Sequence, residues 1–195
     1  MTKNEINTIW EYFLFIVSDL ANTARYVEPA GQENVYSFEF QKIIILSCVE
    51  IEKVFKKIAE ISKGESLGNM EEYKRFFLAN YPNIVDAVVR VSRLGREIRP
   101  FENWNTDKLP WWDAYNQAKH GSKDSIKSAT CINAIYCISA LYILIFYLAK
   151  IIGVNSFDSE SKFIHSEYEY VYLVANSEKT LPDFQKSKPQ RETKK

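Results

Sequence analysis

Glycine and proline are scarce, six of each in 195 residues. A many-turned β fold or a loop-rich chain needs more of both, so those classes are set aside. Histidine is rarer still, with only His120 and His165. The cysteines are Cys48, Cys131 and Cys137, and no pair has metal-ligand spacing. Neither histidine has CxxC partners, so no zinc site is legible. Three thiols inside apolar helical patterns read as reduced core residues, which implies a reducing cytoplasm. No sign of charge is in excess: 25 basic residues face 25 acidic ones. A globally basic nucleic-acid footprint is therefore missing. So are a glycine-rich phosphate loop and an acidic metal cluster. The first residues do not read as a signal peptide, because Glu5, Glu11 and Asp19 interrupt them. No cofactor is implied.

What is present is apolar and aromatic. Hydrophobic residues make up 46% and aromatics 14%, enough to fill the core of one domain of this length. Charge is unevenly placed. From Asn176 onward six basic residues outnumber three acidic ones, so the rest of the chain carries three net negative charges. Any nucleic-acid binding would rest on a local patch or on this tail. The run Cys131–Ala149 has no charged residue. Its length approaches the ~20 residues that span a bilayer. Asn133, Ser139 and three tyrosines within it favour a fully buried central helix over a membrane span.

Periodicity sets the organisation. Ile6, Ile9, Trp10, Phe13, Val17, Leu20 and Ala24 recur at helical intervals and predict a helix from about Lys3 to Arg25. Pro29, Gly31 and Asn34 break the chain. Ser37 is an N-cap for a second helix to about Ser62, with Ile44, Cys48, Ile51, Phe55 and Ile58 as its core stripe. Glu52 and Lys56 stand at i,i+4 and read as an ion pair on its surface. A short helix is expected over Asn69–Asn80. Another is expected from Pro82 to about Ile98, with Asp86/Arg90 and Arg93/Glu97 as surface pairs. Pro100 stops it. Phe101–Leu109 reads as a connector. Pro110 suits a first helical position, and the helix it opens runs to His120, with Gly121 just beyond. The last helix is expected from Asp124 or Ser125 to about Ile152. Tyr168–Ala175 alternates as a strand would, with Phe163–Ser166 as a hairpin partner. The fold class is thus all-α, an up-and-down bundle of about five to six helices with a short C-terminal hairpin or extended segment. The divisions are 1–152 for the bundle, 153–175 for an extended segment packed on it, and 176–195 for a disordered polar tail.

The most distinctive block is "LPWWDAYNQAKHGSKD", Leu109–Asp124. On a helix, Asp113, Asn116 and His120 share one face, and Trp112, Tyr115 and Ala118 can face the core. His120 would end the helix, where the dipole favours imidazolium and suits acid–base work or a phosphate contact. The plainer reading is a histidine that caps a helix end by local hydrogen bonding. Trp104, Trp111 and Trp112 can stack bases or serve as core anchors. Glu50 or Glu52 would orient the imidazole if the second helix meets it.

"CVEIEKVFK", "RPFENW" and "LPWWDAYNQAKH", followed by a long apolar helix, resemble bacterial proteins of the HEPN superfamily, the higher-eukaryote-and-prokaryote nucleotide-binding helical domain. The resemblance covers about Tyr36 to Ile152. The family motif is Arg, a polar residue often Asn, three further residues, then His. Asn116 and His120 match it, and Tyr115 stands where the arginine would be. The resemblance implies a helical bundle, commonly a homodimer, and a metal-independent endoribonuclease or RNA-binding effector of bacterial defence or stress, of toxin–antitoxin or abortive-infection type. In that chemistry His120 would move the proton at the RNA 2′-hydroxyl, and a cation would stabilise the phosphate. Lys119, Lys123 or Arg99 would have to replace the missing arginine, and Lys119 is nearest by spacing. Asn116 would orient the reacting groups, and Tyr115, Asp113, Lys123 and Arg99 would line the substrate site. RNA and an antitoxin or other protein are the implied partners, with no membrane. The alternative is a degenerate, non-catalytic module for dimerisation or partner binding.

Overall fold

Side-chain caps open the helices that begin after loops. Thr2, Ser37, Asn69 and Thr130 each accept a backbone N–H of the first turn. Those donors would otherwise lack an intrahelical partner. In the computed structural model, which describes residues 1–121, 125–154 and 157 and the backbone of 173–175, the helices are α1 (Lys3–Thr23), α2 (Phe38–Lys63), α3 (Met70–Asn80), α4 (Pro110–His120), α5 (Ser125–Ser128) and α6 (Cys131–Ile151). The architecture is all-α, with one small sheet of strands β1 (Val89–Val91), β2 (Arg96–Ile98) and β3 (Leu173–Ala175) at its side.

The expected stripe of α2 is the centre of the core. Ile44, Cys48, Ile51, Phe55 and Ile58 are each 0% exposed. Helix α6 packs on α2, α1 and α4 and is apolar nearly all round because most of its surface is covered. By length and composition it could cross a membrane. Here Ile138, Leu141 and Ile145 are each 0% exposed. Small residues let α2 and α6 approach closely. Ser47 and Ser139 are fully buried, and the thiols of Cys48 and Cys137 lie 3.6 Å apart.

Two expected helices change form. The stretch expected as one helix from Pro82 to Ile98 is a 3₁₀ turn (Pro82–Asp86) followed by a β-hairpin. Val89 and Val91 are buried while Arg90 is exposed, an alternation of period two that β-branched side chains satisfy on a pleated surface. Gly95 reverses the chain at φ 65°, a conformation that costs a residue with a Cβ far more. β1 is the central strand, antiparallel to both neighbours, with Val89 opposite Ile98 and Ala175. Asp86 and Arg90 therefore do not form a helical pair, and Arg90 stands opposite Glu97. Arg93 binds Glu28 at 2.8 Å and the Ala24 carbonyl at 3.2 Å, tying the hairpin to the end of α1.

The last helix is also broken, between Ser128 and Cys131. The loop before α2 enters the gap. Cys131 and Ile132 donate their N–H groups to the carbonyls of Val35 and Glu33, at 2.8 and 3.0 Å, and Ser37 donates to Ala129 O. These donors belong to the start of α6, so a tertiary contact supplies what a continuous helix would have supplied internally. β3 falls within the expected C-terminal strand, whereas the hairpin partner at Phe163–Ser166 and the tail lie outside the described residues.

Candidate functional site

Helix α4 starts without a side-chain cap. Leu109 occupies the cap position and Pro110 follows it, where a missing N–H costs nothing. Trp111 anchors this end: its indole N–H donates to the Pro100 carbonyl at 2.7 Å. Trp111, Ala114 and Tyr115 form the buried stripe of α4, while Trp112 and Ala118 are only half-buried. The expected inward set of Trp112, Tyr115 and Ala118 is thus displaced by one residue, with Tyr115 alone common to both. Trp104 is buried beside Phe101 and Phe55, so Trp104 and Trp111 are core anchors and offer bases no platform.

Tyr115 sits where the resemblance would place an arginine, and its surroundings are specific. Its hydroxyl donates to Glu52 Oε1 on α2 at 3.0 Å. Glu52 therefore pairs with Tyr115 and not with Lys56 as expected, and Glu50 bonds Lys53 at 2.5 Å. Neither glutamate orients the imidazole. Burial first, then the bond to Glu52, pushes the Tyr115 phenol well above its ordinary range. Tyr73 of α3 stacks on Phe55, and burial followed by the Glu52 charge pushes its phenol up to about 12. Its oxygen is buried without a hydrogen-bond partner. The Cys48 thiol is likewise held protonated, mainly by burial and then by Cys137. Glu52 thus overlies a patch of neutral, buried acids.

The other face of α4 meets solvent. Asp113, Lys119 and His120 are exposed and Asn116 is half-buried. Lys119 Nζ lies 5.5 Å from the Tyr115 ring centroid, within cation–π range. Gly121 ends the helix at φ 66° and donates its N–H to Gln117 O. Asp113 in the first turn and Lys119 and His120 in the last complement the helix dipole. Asn116, Lys119 and His120 therefore come together at the C-terminal end of α4.

Arg99 does not join them. It lines a cleft at the opposite end of α4, beside Pro110 and Trp111. His120 lies nine residues beyond Trp111, about 14 Å along the axis at ~1.5 Å per residue. Lys123 lies outside the described residues. Among the described residues no three His, Cys, Asp or Glu side chains gather as metal ligands would.

Sequence reasoning missed two features. One is the bond between Tyr115 and Glu52: Tyr115 was expected to turn inward, but Glu52 read as half of a surface ion pair, so no local pattern signalled the bond. The other is the cleft at the start of α4, which joins side chains of the 99–111 segment to Asn133 and Tyr136 of α6. No local pattern announces that juxtaposition. The class these features define is an all-α bundle with a polar, histidine-ended helix at its surface. Comparison with family models, with curated proteins and with solved structures found no match for this chain.

Proposed function

We propose that this chain is an HEPN-like helical protein that acts on RNA at the C-terminal end of α4, as a metal-independent ribonuclease or RNA-binding effector of bacterial defence or stress. The observation that supports it is the gathering of Asn116, Lys119 and His120 at one solvent-facing helix end, with the Lys119 ammonium resting over the Tyr115 ring. In this reading His120 takes the 2′-hydroxyl proton and later returns one to the leaving oxygen. Lys119 supplies the cation that answers charge on the phosphate. Asn116, one turn back, orients the imidazole or the phosphate. Lys123 borders the same end in sequence, Asp113 stands back in the first turn of α4, and a homodimer would bring two such ends together.

The test is RNA cleavage by purified protein in the presence of EDTA. His120→Ala should lower the rate by ~10²–10⁴-fold if the group transfers protons. Asn116→Ala should cost less, and Lys119→Ala should cost about as much as the histidine if the lysine has replaced the arginine. Activity that survives His120→Ala, or that disappears with EDTA, refutes the mechanism.

A second reading has its own support. Tyr115 is buried and bonded to Glu52, so the arginine position of the motif faces the core. That favours a non-catalytic module that dimerises or binds a partner protein. Stable RNA with wild-type protein, together with co-purification of one defined partner, would decide for it.

A further inference from the structure

The cleft at the N-terminal end of α4 lies well away from His120 and is independent of the reading above. Its volume is about 410 Å3, within the ~300–1,000 Å3 of small-molecule sites and near their lower end. Four charged residues line it: Arg99, Glu102, Asp107 and Lys108. Leu109, Pro110, Trp111 and Ile132 supply apolar lining, and of these Leu109 and Trp111 are buried. Asn133 and Tyr136 of α6 complete the wall.

The charged groups have only loose partners. Arg99 Nη1 stands 3.9 Å from Glu102 Oε1, and the Thr106 hydroxyl reaches Asp107 Oδ2 at 3.3 Å. Both distances exceed a good charge-assisted hydrogen bond of ~2.7–2.9 Å. The backbone that carries them is well held. Phe101 and Trp104 are buried, Thr106 and Asp107 donate their N–H groups to Asn103 O at 3.0 and 2.7 Å, and the Trp111 indole holds the Pro100 carbonyl. The Asn133 amide is fixed by donating to Ser128 O at 2.9 Å. Burial keeps the Tyr136 phenol protonated, against the pull of Arg96.

The signs of the charges narrow the ligand. An inorganic anion would meet Glu102 and Asp107, and a simple cation would meet Arg99 and Lys108. A neutral polar molecule could hydrogen-bond to either pair but would leave the charges of both uncompensated. A small molecule with both signs uses all four, and the apolar lining takes its uncharged part. The geometry points to this cleft as a binding site for a free α-amino acid. Its carboxylate is held by Arg99 and Lys108, its ammonium by Glu102 and Asp107, and its side chain rests on Ile132 and Leu109.

The probes are the proteinogenic amino acids, titrated into the full-length protein by calorimetry, with tryptophan fluorescence as a second readout. At least one should bind. Its N-acetyl and its carboxamide derivatives should each bind about tenfold more weakly or worse, the factor expected for loss of one charge-assisted contact. Arg99→Ala and Glu102→Gln should each weaken the parent amino acid by the same factor. Both positions are about half exposed, so both variants should fold, which circular dichroism checks. Four results would overturn the assignment: no amino acid binding at millimolar concentration, equal binding of the blocked derivatives, equal binding of acetate or phosphate, or affinity unchanged in both folded variants.

Discussion

Replacing Tyr115 by phenylalanine separates a structural from a substrate-facing role for the motif position. The substitution keeps the ring that packs at 5.0 Å from Trp112 and carries Lys119 above it, and removes only the hydroxyl that donates to Glu52. A hydrogen bond to a charged group contributes about 1.5–3 kcal/mol when both partners are buried. Glu52 is only half-buried, and water can reach a stranded carboxylate, so the expected loss is about 1–2 kcal/mol. For a chain of 195 residues that lowers Tm by about 2–8 °C. The phenol is raised in the folded state, so its contribution is complete below the ordinary tyrosine pKa of ~10. It is lost only as pH rises through the higher folded value. The bond is therefore intact at neutral pH. Urea unfolding followed by tryptophan fluorescence measures the loss as a lower midpoint at unchanged slope. A double-mutant cycle with Glu52→Met, which keeps side-chain length without a carboxylate, isolates the pair. Coupling below about 0.5 kcal/mol would refute the interaction as the reason this tyrosine is present. RNA cleavage or binding that falls while stability holds would move Tyr115 back to the substrate.

Ile51→Ala should cost about 2–5 kcal/mol, because the residue is fully buried between helices, whereas Val49→Ala, partly exposed on the same helix, should stay within about 0.5 kcal/mol. Equal midpoints in urea would contradict the assigned face of α2. Burial holds Cys48 and Cys131 protonated and all three cysteines are buried, so a thiol reagent at mildly alkaline pH should label none of them in the native protein and all three in denaturant. Rapid native labelling would show that the core opens. Tyr73 is raised to about 12, so its stabilising share is complete below ~10 and is lost as pH rises through about 12. Tyr73→Phe should therefore lose stability less steeply than the wild type across that window. Parallel urea midpoints in the two proteins would count against a raised phenol.

The sequence by itself determined the elements whose signals are local. Helical spacing of Ile44, Cys48, Ile51, Phe55 and Ile58 specified both α2 and its buried face, since one stripe can be satisfied by only one orientation. Ser37, Asn69, Pro110 and Gly121 marked ends because caps and left-handed glycine act within one turn. The exposed cluster of Asn116, Lys119 and His120 was legible for the same reason. Tertiary structure decided the rest. Ile84, Val88, Val91 and Ile98 fit a helical spacing, yet Val89 and Val91 alternate with Arg90, and pairing with β2 and β3 selected the strand. The continuous apolar pattern after Ser125 concealed a break, because the carbonyls of Glu33 and Val35 that receive the amides of α6 lie about a hundred residues earlier in the chain. Glu52 found Tyr115 and not Lys56 because packing of α2 on α4 brought a buried donor to it, and a buried hydroxyl without a partner costs more than a surface ion pair contributes. Arg99 was a candidate cation by composition. The length of α4 put it at the far end from His120, a separation no spacing rule in the sequence expresses.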